Sequence, residues 1–448
     1  MRKLKSLLDA GLAATVLGPA LVLGALRCQV RKTAPRGRGR RLLVLDMSYT
    51  LKAIRERKLL TPVLARDLDG FFEKVWSVHP LGPAEEASVI EESVLSERHV
   101  FIQGTVGGGA LPWTRFALEQ VRLFHKLERL IRDERISLIR VGDPYYLGLL
   151  GLSLSRLTGV PLAMRLAANH DRLYRDTGRP VMPRLFKWRW VEKLVEWIVF
   201  PRTDLVAALN QENLDYALWS GARRERATIF RLGNLIHPDH FLPPKQRPKG
   251  VLADLPGEGP ILASVARLEP VKMPEHIVLL LGALRERGIR ARGLVVGDGT
   301  MRGEIQELAR RLQVESQLIM VGNRDQEWLA RALPECEVVV SFVTGRALTE
   351  AALAGAAVVS YDLDWQRELI VSGRTGELVP AGDVEAMAAA VAGFLQDPER
   401  ARACGQRLRE LALSMMEPER LSEHERATYR KLLEGQDASA GSGEGGEG

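Results

Sequence analysis

Residues 261–383 constrain the fold most: strand–loop–helix units follow one another without interruption. They read ILASVARLEPVKMPEHI, GLVVGDGTMRGEI, LIMVGNRDQEWL and EVVVSFVTGRALTEAALAGAAVVSYD. Each short β-rich run ends in glycine, arginine or an acid and gives way to a helical pattern. Such alternation builds a parallel sheet covered by helices. Loops that follow parallel strands converge on one crevice at the carboxyl edge of the sheet, where a nucleotide would sit.

The chain has 448 residues, too many for one hydrophobic core and enough for two domains with extensions. A hydrophobic content of 46% excludes a disordered chain. Cys28, Cys336 and Cys404 are far apart and lack metal spacing, which points to a reducing compartment. Residues 1–41 hold ten Lys or Arg against Asp9 alone, a local charge of +9 in a chain of net +7, so the remainder is near −2. The basic character belongs to the N-terminus, and no nucleic-acid-binding motif accompanies it.

Ala10–Leu26 is uncharged and flanked by basic clusters, at the short end of a membrane span. It reads as a signal-anchor helix, an interfacial anchor or a cleaved signal peptide. The heavier basic flank follows the segment, so the positive-inside rule keeps the body cytoplasmic and membrane-associated.

Arg41–Met47, Ile136–Val141, Pro161–Leu166, Leu205–Leu209 and Thr228–Arg231 read as strands of a first α/β domain, residues 42–245. Residues 242–259 are rich in Pro and Gly, and 246–259 are taken as a linker. A second domain spans 260–400, helices follow over 401–434, and 435–448 is expected to be unstructured. The fold class is thus α/β, with two Rossmann-like domains facing across a cleft after a segment 1–41 of anchor and basic linker.

Arg267 and Lys272 flank a bend after a strand and are placed to clamp a diphosphate, or else form a solvated pair. Gly297 and Gly299 open a helix, where backbone approaches an anion closely or simply turns tightly. Gly322 after LIMV reads as a tight turn or as backbone that contacts the base, and Gly345 lies in a loop whose backbone N–H groups can meet phosphate. Glu350 lies near the start of a small-residue helix, either as a ribose acceptor or as an acid favoured by the macrodipole. In the first half, His170 follows a strand, with a sugar-contacting or a structural role. Asp143 is a substrate contact or a helix cap before Pro144. Arg184–Arg189 (RLFKWR) with Trp190 and Trp197 reads as a basic aromatic helix that touches lipid headgroups or packs in the core.

Together these residues resemble the GT-B nucleotide-sugar glycosyltransferases, specifically glycosyltransferase family 4. The match in the second half includes Arg267-Leu268-x-x-x-Lys272, Gly297-x-Gly299, Val321-Gly322, Glu350-Ala351-x-x-Ala354-Gly355, and Glu368 to Gly376 with Asp383. In the first half Gly142-Asp143-Pro144, Gly159-Val160-Pro161, His170, Asp204-Leu205 and Asn234 to Phe241 fall in comparable order. The resemblance implies the GT-B fold and a retaining sugar transfer from a nucleotide diphosphate sugar, with no metal or other cofactor. It implies that Arg267 and Lys272 neutralise the diphosphate, Glu350 holds the ribose and His170 contacts the transferred sugar. The family's first Glu, eight residues before Glu350, is replaced by Phe342, and aligning Gly345 instead puts Thr344 in that role. His237 stands where an Asp is expected after Asn234. The expected partners are the nucleotide sugar, a glycan or lipid-linked acceptor and the membrane, and no nucleic acid. A silent sugar-nucleotide-binding scaffold and a nucleotide-sugar epimerase are the alternatives.

Overall fold

The computed structural model describes residues 39–441 apart from 57–59, 83–89, 107–111, 234–235 and 344. The expected anchor over Ala10–Leu26 and Thr344 both lie outside the described residues. Among the described residues no helix is long and apolar enough to cross a membrane.

The chain divides into two compact units, residues 1–230 with 422–448, and residues 231–421. The division falls at Phe230/Arg231, not at the expected 245/246. The segment 246–259 is packed onto the second unit. Its Arg247 is buried and donates to the carbonyls of His240, Leu242, Ala330 and Leu353. The Glu335 carboxylate accepts from the backbone N–H groups of Gly250, Val251 and Leu252. With its polar groups paired to the body this way, the segment is a strap rather than a free linker.

The first unit holds an eight-stranded sheet. Its strands are β1 (Arg41–Leu45), β2 (Lys74–His79), β3 (Glu91–Ser96), β4 (His99–Gln103), β5 (Leu138–Val141), β6 (Leu162–Leu166), β7 (Leu205–Ala208) and β8 (Ala227–Ile229). The order is β3-β4-β2-β1-β5-β6-β7-β8, parallel except for the edge hairpin β3–β4. The five strands expected from sequence are present; β2, β3 and β4 were not legible. Buried Ser77, His79, His99 and Gln103 interrupt their apolar pattern. Gln103 has a structural role: its amide oxygen accepts from Leu51 N at 2.7 Å, holding the short helix Leu51–Glu56.

The second sheet contains β9 (Ile261–Val265), β10 (Arg292–Val296), β11 (Leu318–Gly322), β12 (Val338–Ser341), β13 (Ala357–Tyr361) and β14 (Glu377–Val379). Its order is β11-β10-β9-β12-β13-β14, parallel throughout. The strands β9, β10, β12 and β13 are short, mainly apolar runs buried on both faces, as the sequence pattern requires of a covered parallel sheet, and β11 and β14 are partly exposed. Strand order reverses beside β9 and β12 here, and beside β1 and β5 in the first sheet, which fixes where each crevice opens.

The C-terminal helices do not form one unit. Pro398–Met416 packs on the second sheet, where Gly405 lies so close to the Gly355 carbonyl that a Cβ would sit 2.2 Å from it. The helix Pro418–Gly441 returns to the first unit. Its Tyr429 is buried against Phe72 and Phe230, and its Glu425 meets Arg165 at 2.9 Å. Burying such a ring contributes about 1.5–3 kcal/mol. The helix also enters the segment expected to be unstructured from 435.

Candidate functional site

The second unit gathers its candidates at the switch point. Arg267 is exposed two residues past β9, and Lys272 is half-buried in the turn Pro270–Lys272. Burial holds the Lys272 ammonium below its ordinary range, Arg267 lowers it further and Asp364 opposes both. The two cations therefore sense each other, and a dianion between them would relieve that repulsion.

The Gly-Asp-Gly loop builds the floor under this pair. Gly297 has φ +143° and a Cβ there would lie 1.8 Å from the Ala266 carbonyl oxygen. A Cβ on Gly299 would lie 2.4 Å from the Leu268 carbonyl oxygen. Leu268 N donates to the Asp298 carbonyl at 3.0 Å, and Met301 N donates to the Leu268 carbonyl at 3.0 Å. Thr300 adds two bonds to the Glu269 carboxylate. Both glycines are thus demanded by the close approach of the loop that carries Arg267, whatever they bind. Gly322, at φ +71°, ends β11, and its carbonyl accepts from Gly297 N at 2.9 Å. Its role is to register the loops.

Gly345 caps the helix Arg346–Ala354, is exposed and has open space where a Cβ would project. Glu350 lies in the second turn of this helix, not near its start as expected, so the macrodipole does not account for it. Its side chain is 2% exposed, and Oε1 accepts from Arg346 Nε at 2.9 Å. Burial pushes its carboxyl up from the ordinary range, and Arg346 pulls it back. Phe342, at the position of the absent acid, is buried against His276 and Tyr361, with ring centroids 5.7 and 5.5 Å away. His276 Nδ1 and Tyr361 Oη lie 2.6 Å apart, closing that cluster.

The first unit assembles a different kind of site. Asp46 follows β1, Asp143 follows β5 and His170 follows β6. Burial raises the Asp143 carboxyl to about 7, although Tyr145 N donates to Oδ1 at 2.8 Å. Asp143 therefore caps the turn into the helix Tyr146–Thr158 and also holds a proton near neutrality. Asp46 is ionised: burial opposes this, but Arg66 and Ser48 outweigh it.

His170 opens the helix His170–Thr177, capped by Asn169, and is 6% exposed. Its ring lies 5.0 Å from Tyr145 and 5.7 Å from Tyr216, whose hydroxyl is 3.4 Å from Nδ1. Burial lowers its pKa to about 4, so it is neutral at pH 7. A network that sequence reasoning missed fixes this cage. Arg189 meets Asp171 at 2.6 Å, Glu192 at 2.9 Å, Glu196 at 2.7 Å and Tyr145 Oη at 2.8 Å. Lys193 bridges Asp171 and Glu196 at 3.0 and 2.7 Å. The available signal was Glu192 and Glu196, acids four apart on the apolar side of the helix Arg189–Val199. The expected helix over Arg184–Arg189 is absent: the helix begins at Arg189, and Trp190 and Trp197 are exposed, not core.

Residues 253–411 match the family model described as Glycosyl transferases group 1. Glycogen synthase of Mycobacterium tuberculosis is 32% identical over 343 residues, 74% of this chain and 78% of that protein. Phosphatidyl-myo-inositol mannosyltransferase of Mycolicibacterium smegmatis is 34% identical over 157 residues, 33% of this chain and 39% of that protein. Among several curated relatives the match spans about half of their length. The crystal structure of HepE of Anabaena in complex with UDP aligns with a TM-score of 0.64 at 17% identity, over 87% of this chain and 100% of that one.

Proposed function

The chain belongs to the GT-B nucleotide-sugar glycosyltransferases, and from that premise we propose that it is a retaining transferase of the family 4 type with a lipid-linked or membrane-proximal glycan acceptor. The bond from the anomeric carbon to the β-phosphate oxygen breaks, and its electron pair leaves with the nucleoside diphosphate. The acceptor hydroxyl oxygen bonds to the same face of that carbon and passes its proton to the departing β-phosphate oxygen. Arg267 and Lys272 neutralise the developing charge on the diphosphate, so this chemistry asks for no metal. Gly345 N–H meets a phosphate oxygen, and Glu350 accepts from the ribose hydroxyls once Arg346 shares or yields its oxygen. His170 hydrogen-bonds the transferred sugar in its neutral form, and Asp143 supplies a proton-holding contact.

The observation that carries the reading is that Arg267 and Lys272 both follow β9, the strand at the switch point of the second sheet. The uncharged segment Ala10–Leu26 supports a membrane-associated chain with its body in the cytoplasm. The lipid named in the mannosyltransferase relative supports a lipid-linked acceptor.

A panel of nucleoside diphosphates and their sugars, screened by thermal shift and then calorimetry, tests the reading. At least one should raise the melting temperature by mass action. Failure of the whole panel to bind would overturn the donor assignment. A second reading, a silent sugar-nucleotide-binding protein, is favoured by Phe342 filling the place of the sugar-facing acid. Donor hydrolysis or transfer at substrate saturation excludes it; tight binding with neither excludes the transferase.

A further inference from the structure

We propose that the outward face of the helix Arg189–Val199, with the turn before it and the end of the helix Gln211–Trp219, docks onto an anionic lipid bilayer. The surface is independent of the N-terminal segment and of the donor site.

Trp190, Leu194 and Trp197 are spaced i, i+4 and i+7, so they form one stripe. They are 65%, 48% and 58% exposed. Trp188 precedes them at 53% exposure and stacks on Trp190, with centroids 6.1 Å apart and ring planes at 18°. The Lys187 ammonium lies 5.3 Å over the Trp188 ring. Trp219 is 87% exposed. Its neighbour Ser220 accepts from Lys193 at 3.2 Å and Gly221 abuts Pro201, which extends the patch past the helix end.

The charge pattern selects the occupant. Between Gly178 and Thr203 the acids are Glu192 and Glu196, and both are fully buried against Arg189 and Lys193. Every exposed charge on that stretch is therefore basic: Arg179, Arg184 and Lys187. Arg223 and Arg224 add to it beyond Trp219, beside the exposed Glu225, and Asp215 is an exposed acid on the helix that carries Trp219. Tryptophan prefers the headgroup level, where its ring is dry and its N–H is wet. A helix with a tryptophan face and basic flanks lies in the interfacial plane of anionic lipid. A twofold contact with a second copy would instead set cations against the same cations.

The full chain, mixed with vesicles of phosphatidylcholine alone or with phosphatidylglycerol, each carrying brominated acyl chains, tests this. No tryptophan precedes Trp76, so an N-terminal anchor cannot itself produce quenching. Quenching is expected on the phosphatidylglycerol vesicles, falling in the double variant Trp190→Ser/Trp197→Ser with its circular dichroism and nucleotide binding unchanged. Arg184→Ala and Lys187→Ala should each weaken vesicle binding by about fivefold at low salt. Absence of vesicle binding would overturn the proposal, as would vesicle-bound protein with unquenched tryptophans or quenching equal in the double variant. So would a dimer in sedimentation velocity that the double variant dissolves.

Discussion

The two sheet edges solve opposite problems. The edge of the second sheet keeps its cations accessible: Arg267 is exposed, Lys272 is half-buried and Gly345 faces open space. The edge of the first sheet buries its charges: His170, Glu192 and Glu196 are enclosed, and Arg189 holds three carboxylates and a phenol. An accessible cationic edge suits an anion that arrives from water, because little desolvation precedes the contact. A sealed network fixes one side chain in one protonation state, and its members fail together.

The largest effect should come from breaking the sealed side. Arg189→Met leaves Glu192 and Glu196 buried with Lys193 as the remaining cation and should cost about 3–5 kcal/mol. Chemical denaturation followed at the tryptophans measures it. A loss under 1 kcal/mol would mean the network is solvated. On the open side the comparable lesion is in the backbone: Gly297→Ala places a Cβ against the Ala266 carbonyl at positive φ and should cost about 3 kcal/mol or displace Arg267. Retained stability and nucleotide affinity would show that the loop is not a rigid floor.

Acid provides the third comparison. His170 has a folded pKa of about 4, below the ordinary value of 6.5, so the unfolded chain binds more protons between them. Its contribution to stability is full above about 6.5 and is lost as pH falls through about 4, at most about 3 kcal/mol. Asp143 runs the other way: raised to about 7, it favours the fold below 3.8, and that contribution is lost as pH rises through 7. His170→Gln should flatten the acid limb of a stability–pH curve and Asp143→Asn the neutral one. Unchanged limbs would place these groups in solvent.

Smaller again is the loss of one donor cation. Arg267→Ala or Lys272→Ala should weaken nucleoside diphosphate binding by about 1.5–3 kcal/mol, with little change in stability. Equal affinity by calorimetry would remove the diphosphate from this pair.

The open side was also the legible one. Its strands are short, mainly apolar runs broken only by single serines (Ser264, Ser341, Ser360), and its cations and glycines follow them directly, so sequence order and spatial order coincide. The sealed side was hidden for a physical reason. Its strands β2 and β4 bury histidine, serine and glutamine, and its candidate histidine, His170, is enclosed by Tyr145 and Tyr216 from other elements. Pairings across such distances leave no local spacing to read. The domain boundary was missed similarly, because Pro and Gly mark a bend but do not reveal that Arg247 ties it down.

The smallest predicted change tests the contrast most narrowly. Gly345→Ala introduces a methyl group into open space, so the folded state meets no clash. Stability should move by less than about 0.5 kcal/mol. Binding need not be silent, since a methyl group beside an N–H that meets phosphate obstructs the phosphate and not the protein. A fall in nucleotide affinity without a shift in the ligand-free melting temperature would identify Gly345 as a contact. Gly297, packed against the Ala266 carbonyl next to Arg267, should show the reverse order, with stability lost first. If both glycines lose affinity only in step with stability, the open edge is as structural as the sealed one, and the difference between them lies in Arg267 and Lys272 alone.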